Sequence, residues 1–342
     1  MTLVLVVLAL ILTVGYALVN SFHDVPNATA IPVRHRALTP RAALLFAAGL
    51  NILGVVAAAI MLPMAQLDLF VLDLIDPAPA LGVIICALLT TIGWDLLTWW
   101  WGLPSSSTSA FMGAVLGASV ALGWVGLTAQ LPLEMGTFWH LVVPVIVGPV
   151  LAFGIAWLLV IPAVRGLRHV EANQVRLLAR VAMVVGSTGT NVGHGLFHGQ
   201  RVLLLLITIP AIGGFTVGSA DQVLVWAVVV TALAFGMGSL FGAWRIAHTI
   251  SSKMVSTDAL RGGIAQGVSG LLLFTGGITS GVSLSTSQTT AAAVMGAGTN
   301  QKYRSTNHRV VGKVLMCWIL TAPVGAVLAG TLALAISPLL SS

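Results

Sequence analysis

The sequence predicts an all-α integral membrane protein made of two oppositely oriented copies of one unit, each containing a re-entrant helical hairpin. Three observations predict it. Hydrophobic residues are 58% of 342 positions and charged residues 7%, against roughly a quarter charged in soluble domains. The apolar segments do not alternate with polar positions, so a membrane barrel is excluded and helices remain as the way to satisfy the backbone in lipid. Finally, the charges are sorted along the chain. Arg34, Arg36 and Arg41 form one basic cluster, and Arg165, Arg168, Arg176 and Arg180 a second. Arg245, Lys253 and Arg261 form a third, and Lys302, Arg304, Arg309 and Lys313 a fourth. The stretches between them, 63–78, 123–138 and 218–222, carry acidic residues and neither Lys nor Arg.

This sorting is the positive-inside pattern and puts the four basic loops in the cytoplasm. The net charge of +6 is therefore a topology signal and not a nucleic-acid footprint. Residues 1–20 lack the basic start and cleavage site of a signal peptide and read as an uncleaved first helix. Cys86 and Cys317 lie in apolar segments and imply neither a disulfide framework nor a metal cluster.

The path follows from the charges. A broken helix, 2–33, runs inward, and 39–62 returns. The segment 79–122 has room for two passes, yet both flanks read as external, so it is a re-entrant hairpin with "GLPSSSTSA" (102–110) at its turn. Residues 139–163 cross inward and close the first repeat, 1–163. After a cytoplasmic linker, 164–177, the second repeat, 178–342, runs the same course inverted. Its parts are a broken segment at 178–217, a return over 221–242, a hairpin at 259–299 with "GVSLSTSQTTA" (281–291) at its turn, and an exit over 310–338. Both termini are then expected outside. Such inverted repeats are the usual plan of secondary transporters, with substrate held at the midplane by discontinuous helices.

Polar residues inside this frame need a reason. The triplets Ser106-Ser107-Thr108 and Ser285-Thr286-Ser287 precede apolar helical stretches. Hydroxyls and free backbone N–H groups at a helix N-terminus make an anion site, and two facing copies could enclose a tetrahedral oxyanion. The alternative is that the hydroxyls only cap helices or let them pack closely. The stretch 20–30 follows nineteen uncharged residues, and within it Asp24 is flanked by His23, Asn20 and Asn27. Carboxylate and amide oxygens at a helix break suit a hard cation such as sodium, or the carboxylate can carry a proton. Asn51, Asp95 and Gln266 either line the same cavity or fasten helices together. His194 and His198 are spaced to face one metal if their stretch is helical, but no third ligand is near in sequence. They read as flexible, water-accessible lining, so no metal site is expected. The ten tryptophans read as interfacial anchors and packing groups.

With these residues laid out, the chain resembles the inorganic phosphate transporter (PiT) family over essentially its whole length. "FHDVPNATAIPVRHRALTPRAALLFAAGLNILG" (22–54) is similar to the family's first signature. "WDLLTWWWGLPSSSTSA" (94–110) and "GVSLSTSQTTAAAVMG" (281–296) resemble its two hairpins, and "GAWRIAHTISSKM" (242–254) its basic loop before the second. The resemblance implies that Asp24 and Asn27 belong to a cation and phosphate site. It also implies that Ser106, Ser107, Thr108, Ser285, Thr286 and Ser287 hold phosphate oxygens. Some positions depart from the family. His23 stands where asparagine is usual, and Ser283 where the second hairpin has proline. The second signature, glycine-threonine-asparagine-aspartate-alanine-glutamine-lysine, is matched to "GTNVGHG" (189–195), which keeps Asn191 but puts Val192 in place of the aspartate. In that register Gln200 and Arg201 could supply the glutamine-lysine pair only through an insertion.

The function expected is cation-coupled transport of inorganic phosphate, alone or as a metal-phosphate complex, across the plasma membrane, with no cofactor and no enzymatic step. With Val192 lost as a carboxylate, His194 and His23 become the groups able to exchange a proton near neutral pH, so proton coupling is expected over sodium. Asp24, Asn27 and Asn191 would form the coupling site. The open alternatives are sulfate or another tetrahedral oxyanion as substrate, a membrane anion sensor that does not transport, and an intramembrane metallo-enzyme using His23, Asp24, His194 and His198. A homodimer is plausible by analogy with the family.

Overall fold

The computed structural model describes residues 1–62, 76–127, 135–215, 218–279, 284–301 and 306–341, with the backbone alone for 135–145 and 277–279. These residues are nearly all helical. In order they form α1 (Thr2–Asp24), α2 (Pro26–Arg34), α3 (Pro40–Met61), α4 (Pro77–Trp101), α5 (Ser107–Trp124) and α6 (Met135–Gly166). The second half continues with α7 (Ala172–Ile212), α8 (Ala220–Phe241), α9 (Trp244–His248), a π turn (Thr249–Lys253), α10 (Ala259–Thr279), α11 (Thr286–Thr299) and α12 (His308–Leu340). Eight segments are long and apolar enough to cross a membrane: 2–34, α3, α4, α5, 146–166, α7, α8 and α12. Their outer faces carry exposed Leu, Ile, Val and Trp, among them Ile11, Ile60, Val150, Leu177 and Ile319. In water such a surface would be unfavourable; facing lipid it satisfies the apolar side chains.

Sequence chemistry sets the helix ends. Pro26 has no N–H, so the α1 ladder stops at Val25, whose helical φ and ψ make the break a kink and not a loop. Thr39 caps α3 through Ala42 N, and Ser219 with Gln222 forms a reciprocal capping box on α8. Gly102 ends α4 in the left-handed region (φ 68°), where a Cβ would also press on Arg245 O.

Several expectations shift. The second half has no counterpart to the kink after α1: α7 runs from Ala172 to Ile212 as one helix, because its only proline, Pro210, stands in the last turn. The connection expected over 164–177 is largely taken up by helix ends, since α6 runs to Gly166 and α7 starts at Ala172. Most of the external stretches 63–78 and 123–138, together with residues 280–283 of the second turn and Ser283 in particular, lie outside the described residues.

Helix partners recur between the halves. The close pairs α1 with α4, α5 with α12 and α1 with α8 have counterparts in α7 with α10, α11 with α6 and α7 with α3. Gly117 sits where a Cβ would overlap Ala326 O on α12, and Gly296 where it would overlap Phe153 O on α6. Each is eleven residues beyond the serine that caps its helix, Ser106 or Ser285. Only glycine allows backbones that near.

Among the described residues, three of the basic clusters gather at one end. Arg34 donates to Ser252 Oγ, Arg180 Nε to His35 O, and Arg245 Nη1 to Trp100 O while lying 4.5 Å from the Trp100 ring. Burial, with Arg34 next in sequence, holds the His35 pKa below its ordinary value. His35 is then neutral at pH 7 as it faces Thr257 Oγ1.

Candidate functional site

The kink after α1 delivers Asp24 into the interior, where it is buried with His23, Asn20 and Asn27. Its two oxygens have different surroundings. Oδ1 accepts from His23 Nδ1 at 3.0 Å and from Ser287 Oγ at 2.9 Å. Oδ2 faces His194 Nε2 at 3.6 Å and His198 Nε2 at 4.0 Å. A buried carboxylate requires such company. Ser287 also accepts from Asn27 Nδ2 at 2.9 Å, so one hydroxyl of the second hairpin joins both polar residues of the first helix pair. On the far side of His23, Nε2 lies 3.2 Å from Thr98 Oγ1 and 3.4 Å from Ser105 Oγ, in the first hairpin.

The first hairpin turn meets α7 instead. Arg201 is buried in the membrane-grade part of that helix. Its guanidinium donates to Tyr16 Oη at 3.1 Å and reaches Thr108 Oγ1 at 3.4 Å, with its centre 5.4 Å from the Phe111 ring. Among the described residues no carboxylate pairs with it, and its Nε has no hydrogen-bond partner. A buried cation held only by hydroxyls and a ring face has capacity left for an anion.

The two halves thus make equivalent bonds. Asn27, three residues after Asp24, bonds the second residue beyond the cap of α11 (Ser287). Arg201, three residues after His198, bonds the second residue beyond the cap of α5 (Thr108). This equivalence corrects the register expected from sequence. The position matching Asp24 is His198 and not Val192, whose carbonyl lies against Gly54 of α3. In this register residues 195–201 stand against the family's second signature without a gap, with Gly195 and Gln200 identical and Arg201 in place of the lysine, while Leu196, Phe197, His198 and Gly199 depart from it. The Gly-Thr-Asn run at 189–191 instead falls on residues that serve packing. Gly189 abuts Gly270, and Thr190 accepts from Gln266 Nε2.

The other expected residues fall into place around this core. Ser106 and Ser285 are the N-caps of α5 and α11, accepting from Ser109 N at 3.1 Å and Gln288 N at 3.4 Å. Their acceptor capacity is used locally, leaving their O–H groups as donors. Ser107 lies beside buried Asp95, and Thr286 is buried one residue before Ser287. Asn191 does not touch Asp24; it accepts from Asn51 Nδ2 at 3.3 Å and supports the site through His194, whose Nδ1 bonds Asn51 Oδ1 at 2.8 Å. Gln266 fastens α10 to Asn27 O. His194 and His198 are buried, contrary to the water-accessible lining expected, and with Asp24 they hold three potential ligand atoms within 4.8 Å of one another. The sequence missed Arg201 and Tyr16 as partners of the first hairpin. An arginine inside an apolar 41-residue helix was the available signal.

Comparison with known proteins gives a consistent result. A chain from Bacillus subtilis described as a probable low-affinity inorganic phosphate transporter is 27% identical over 329 residues, 95% of each chain. The Escherichia coli K12 low-affinity inorganic phosphate transporter PitA is 30% identical over 235 residues, 61% of this chain and 47% of that one. A solved structure titled "The sodium-dependent phosphate transporter" superposes with a TM-score of 0.76 at 17% identity, covering 97% of this chain and 99% of that one; at this identity it speaks for the fold. The sequence model described as the phosphate transporter family matches residues 20–169 and 162–329. This multi-pass, all-helical membrane protein belongs to the phosphate transporter family.

Proposed function

We propose that this chain carries inorganic phosphate across the plasma membrane by alternating access, coupled to a cation, and that the proton is preferred over sodium. The observation that carries the reading is the convergence of two hairpin N-termini, through Thr108 and Ser287, on residues three positions beyond Asp24 and His198. Helix N-termini, hydroxyl donors and one guanidinium form a donor set for a tetrahedral oxyanion. Ser106, Ser107, Thr108, Ser285, Thr286, Ser287, Asn27 and Arg201 are its members. Two oppositely oriented repeats, with re-entrant hairpins and both termini outside, would let the site open to either face in turn. The recurring helix partners support that plan.

Proton coupling is supported by the surroundings of Asp24, since three imidazoles and one hydroxyl approach the carboxylate. Sodium prefers oxygen ligands, whereas imidazoles exchange protons near neutral pH. Phosphate is preferred over sulfate because a proton-bearing phosphate can donate to a carboxylate and sulfate cannot. The test is uptake of radiolabelled phosphate and sulfate into proteoliposomes containing the purified protein. Saturable phosphate uptake, with sulfate a poor competitor, is expected. Equal uptake of both, or phosphate binding without flux, would replace this reading with a general oxyanion permease or a sensor.

A further inference from the structure

We infer that Asp24, His194 and His198 form a binding site for a divalent first-row transition metal. The inference rests on how the neighbours have arranged these three side chains. Asn51 Nδ2 points at three acceptors, Ala47 O, Asn191 Oδ1 and Ser239 Oγ, which fixes the Asn51 amide oxygen toward His194. His194 Nδ1 therefore donates to Asn51 Oδ1, and in the neutral ring Nε2 carries a lone pair. That nitrogen is buried without a hydrogen-bond partner, 3.6 Å from Asp24 Oδ2, another acceptor. His198, one turn further along α7, presents its Nε2 to the same oxygen at 4.0 Å, and the two rings lie 4.6 Å apart. Asp24 Oδ1 is already occupied by His23 and Ser287, so Oδ2 is the oxygen left for a ligand.

Acceptors that face one another in a buried pocket need a proton or a metal ion between them, and the donor set here suits a metal ion. Two atoms each about 2.1 Å from one ion and 3.6 Å apart subtend roughly 120° there, within the range of zinc-type coordination. The three ligand atoms lie within 4.8 Å of one another, so a shared ion needs the His198 ring to turn inward, and no hydrogen bond on its Nδ1 opposes that turn. Two imidazoles and one carboxylate select first-row transition metals over sodium or magnesium, which take oxygen. The Asn51–His194 bond is the outer support that metal-ligating histidines ordinarily have. The inference does not depend on transport; if the chain moves phosphate, the metal lies beside Ser287 and so beside the anion.

The experiment is a titration of purified, chelator-stripped protein in detergent with Co(II) alone, read by its visible d–d absorption. One equivalent is expected to bind, to be displaced by Zn(II), and to resist a hundredfold excess of sodium. His198→Gln should weaken binding at least tenfold while the protein elutes as the folded species. His198→Asp, which restores a ligand atom, should recover Co(II) binding but admit magnesium as a competitor. Absence of saturable Co(II) absorption, or binding that both His198 variants leave unchanged, would overturn the site. Neither result would bear on phosphate uptake by the same preparation, which tests the transport reading separately.

Discussion

Asp24 and Arg201 are opposite charges buried in the same bundle without being paired to each other among the described residues. Asp24 is held by imidazoles and a hydroxyl, and Arg201 by hydroxyls and a ring face, an arrangement that costs free energy at rest and favours binding of ions. Asp24→Asn keeps the shape and removes the charge. It should abolish concentrative phosphate uptake while leaving insertion and gel-filtration behaviour intact, and full gradient-driven accumulation by the variant would remove Asp24 from the mechanism. Arg201→Gln should raise the phosphate KM roughly ten- to a hundredfold, the value of one or two lost charge-assisted hydrogen bonds. Arg201→Lys should recover part of that, because lysine keeps the charge but lacks the planar fork. An unchanged KM in both would reduce Arg201 to packing against Phe111. Asp24 was legible in the sequence because a carboxylate just beyond a long uncharged, mostly apolar run is conspicuous. The roles of His198 and Arg201 were not. Their equivalence to Asp24 and Asn27 is expressed in bonds to Thr108 and Ser287, residues about 90 and 260 positions away from their partners.

The starts of α5 and α11 were the most legible elements, since each serine-threonine run announces a helix start, and the helices begin at Ser107 and Thr286. The uninterrupted course of α7 was less so. A break was expected within 178–217, but the glycines at 186, 189, 193, 195 and 199 lie in a continuous helix and serve close approach to α10 and α3. Glycine in a sequence does not distinguish a bend from a contact; only the neighbouring helix does. Replacing Ser106, Ser107 and Thr108 together with alanine should weaken phosphate binding more than thermal stability, and the same change at Ser285, Thr286 and Ser287 should behave alike. Unchanged affinity in either triple variant would make these hydroxyls helix caps and no more. Gly117→Leu and Gly296→Leu probe the scaffold instead. Each side chain would meet the backbone of α12 or α6, and overpacking of this kind costs about 1–3 kcal/mol or more. Both should lower the Tm, measured in detergent; an unchanged Tm would mean that these helices separate without cost.

For the molecule as a whole, charge sorting predicted which loops share a face, and the basic residues Arg34, Arg180 and Arg245 do meet at one end of the bundle. The exposed apolar belt and the buried polar centre then leave one arrangement in which the bilayer surrounds the bundle and the polar cluster sits within it. What composition could not supply was the content of that centre, because burial brings together residues from α1, α2, α3, α5, α7 and α11 that no local pattern links. The central claim is that the Asp24 cluster couples cation entry to phosphate movement, with the proton as the cation. The most direct measurement is radiolabelled phosphate accumulation in proteoliposomes held in sodium-free buffer of fixed divalent-ion content, with an inward pH gradient imposed. The account predicts accumulation that rises as external pH falls and disappears in Asp24→Asn. No accumulation under the pH gradient, followed by strong accumulation once a sodium gradient is added, would contradict it.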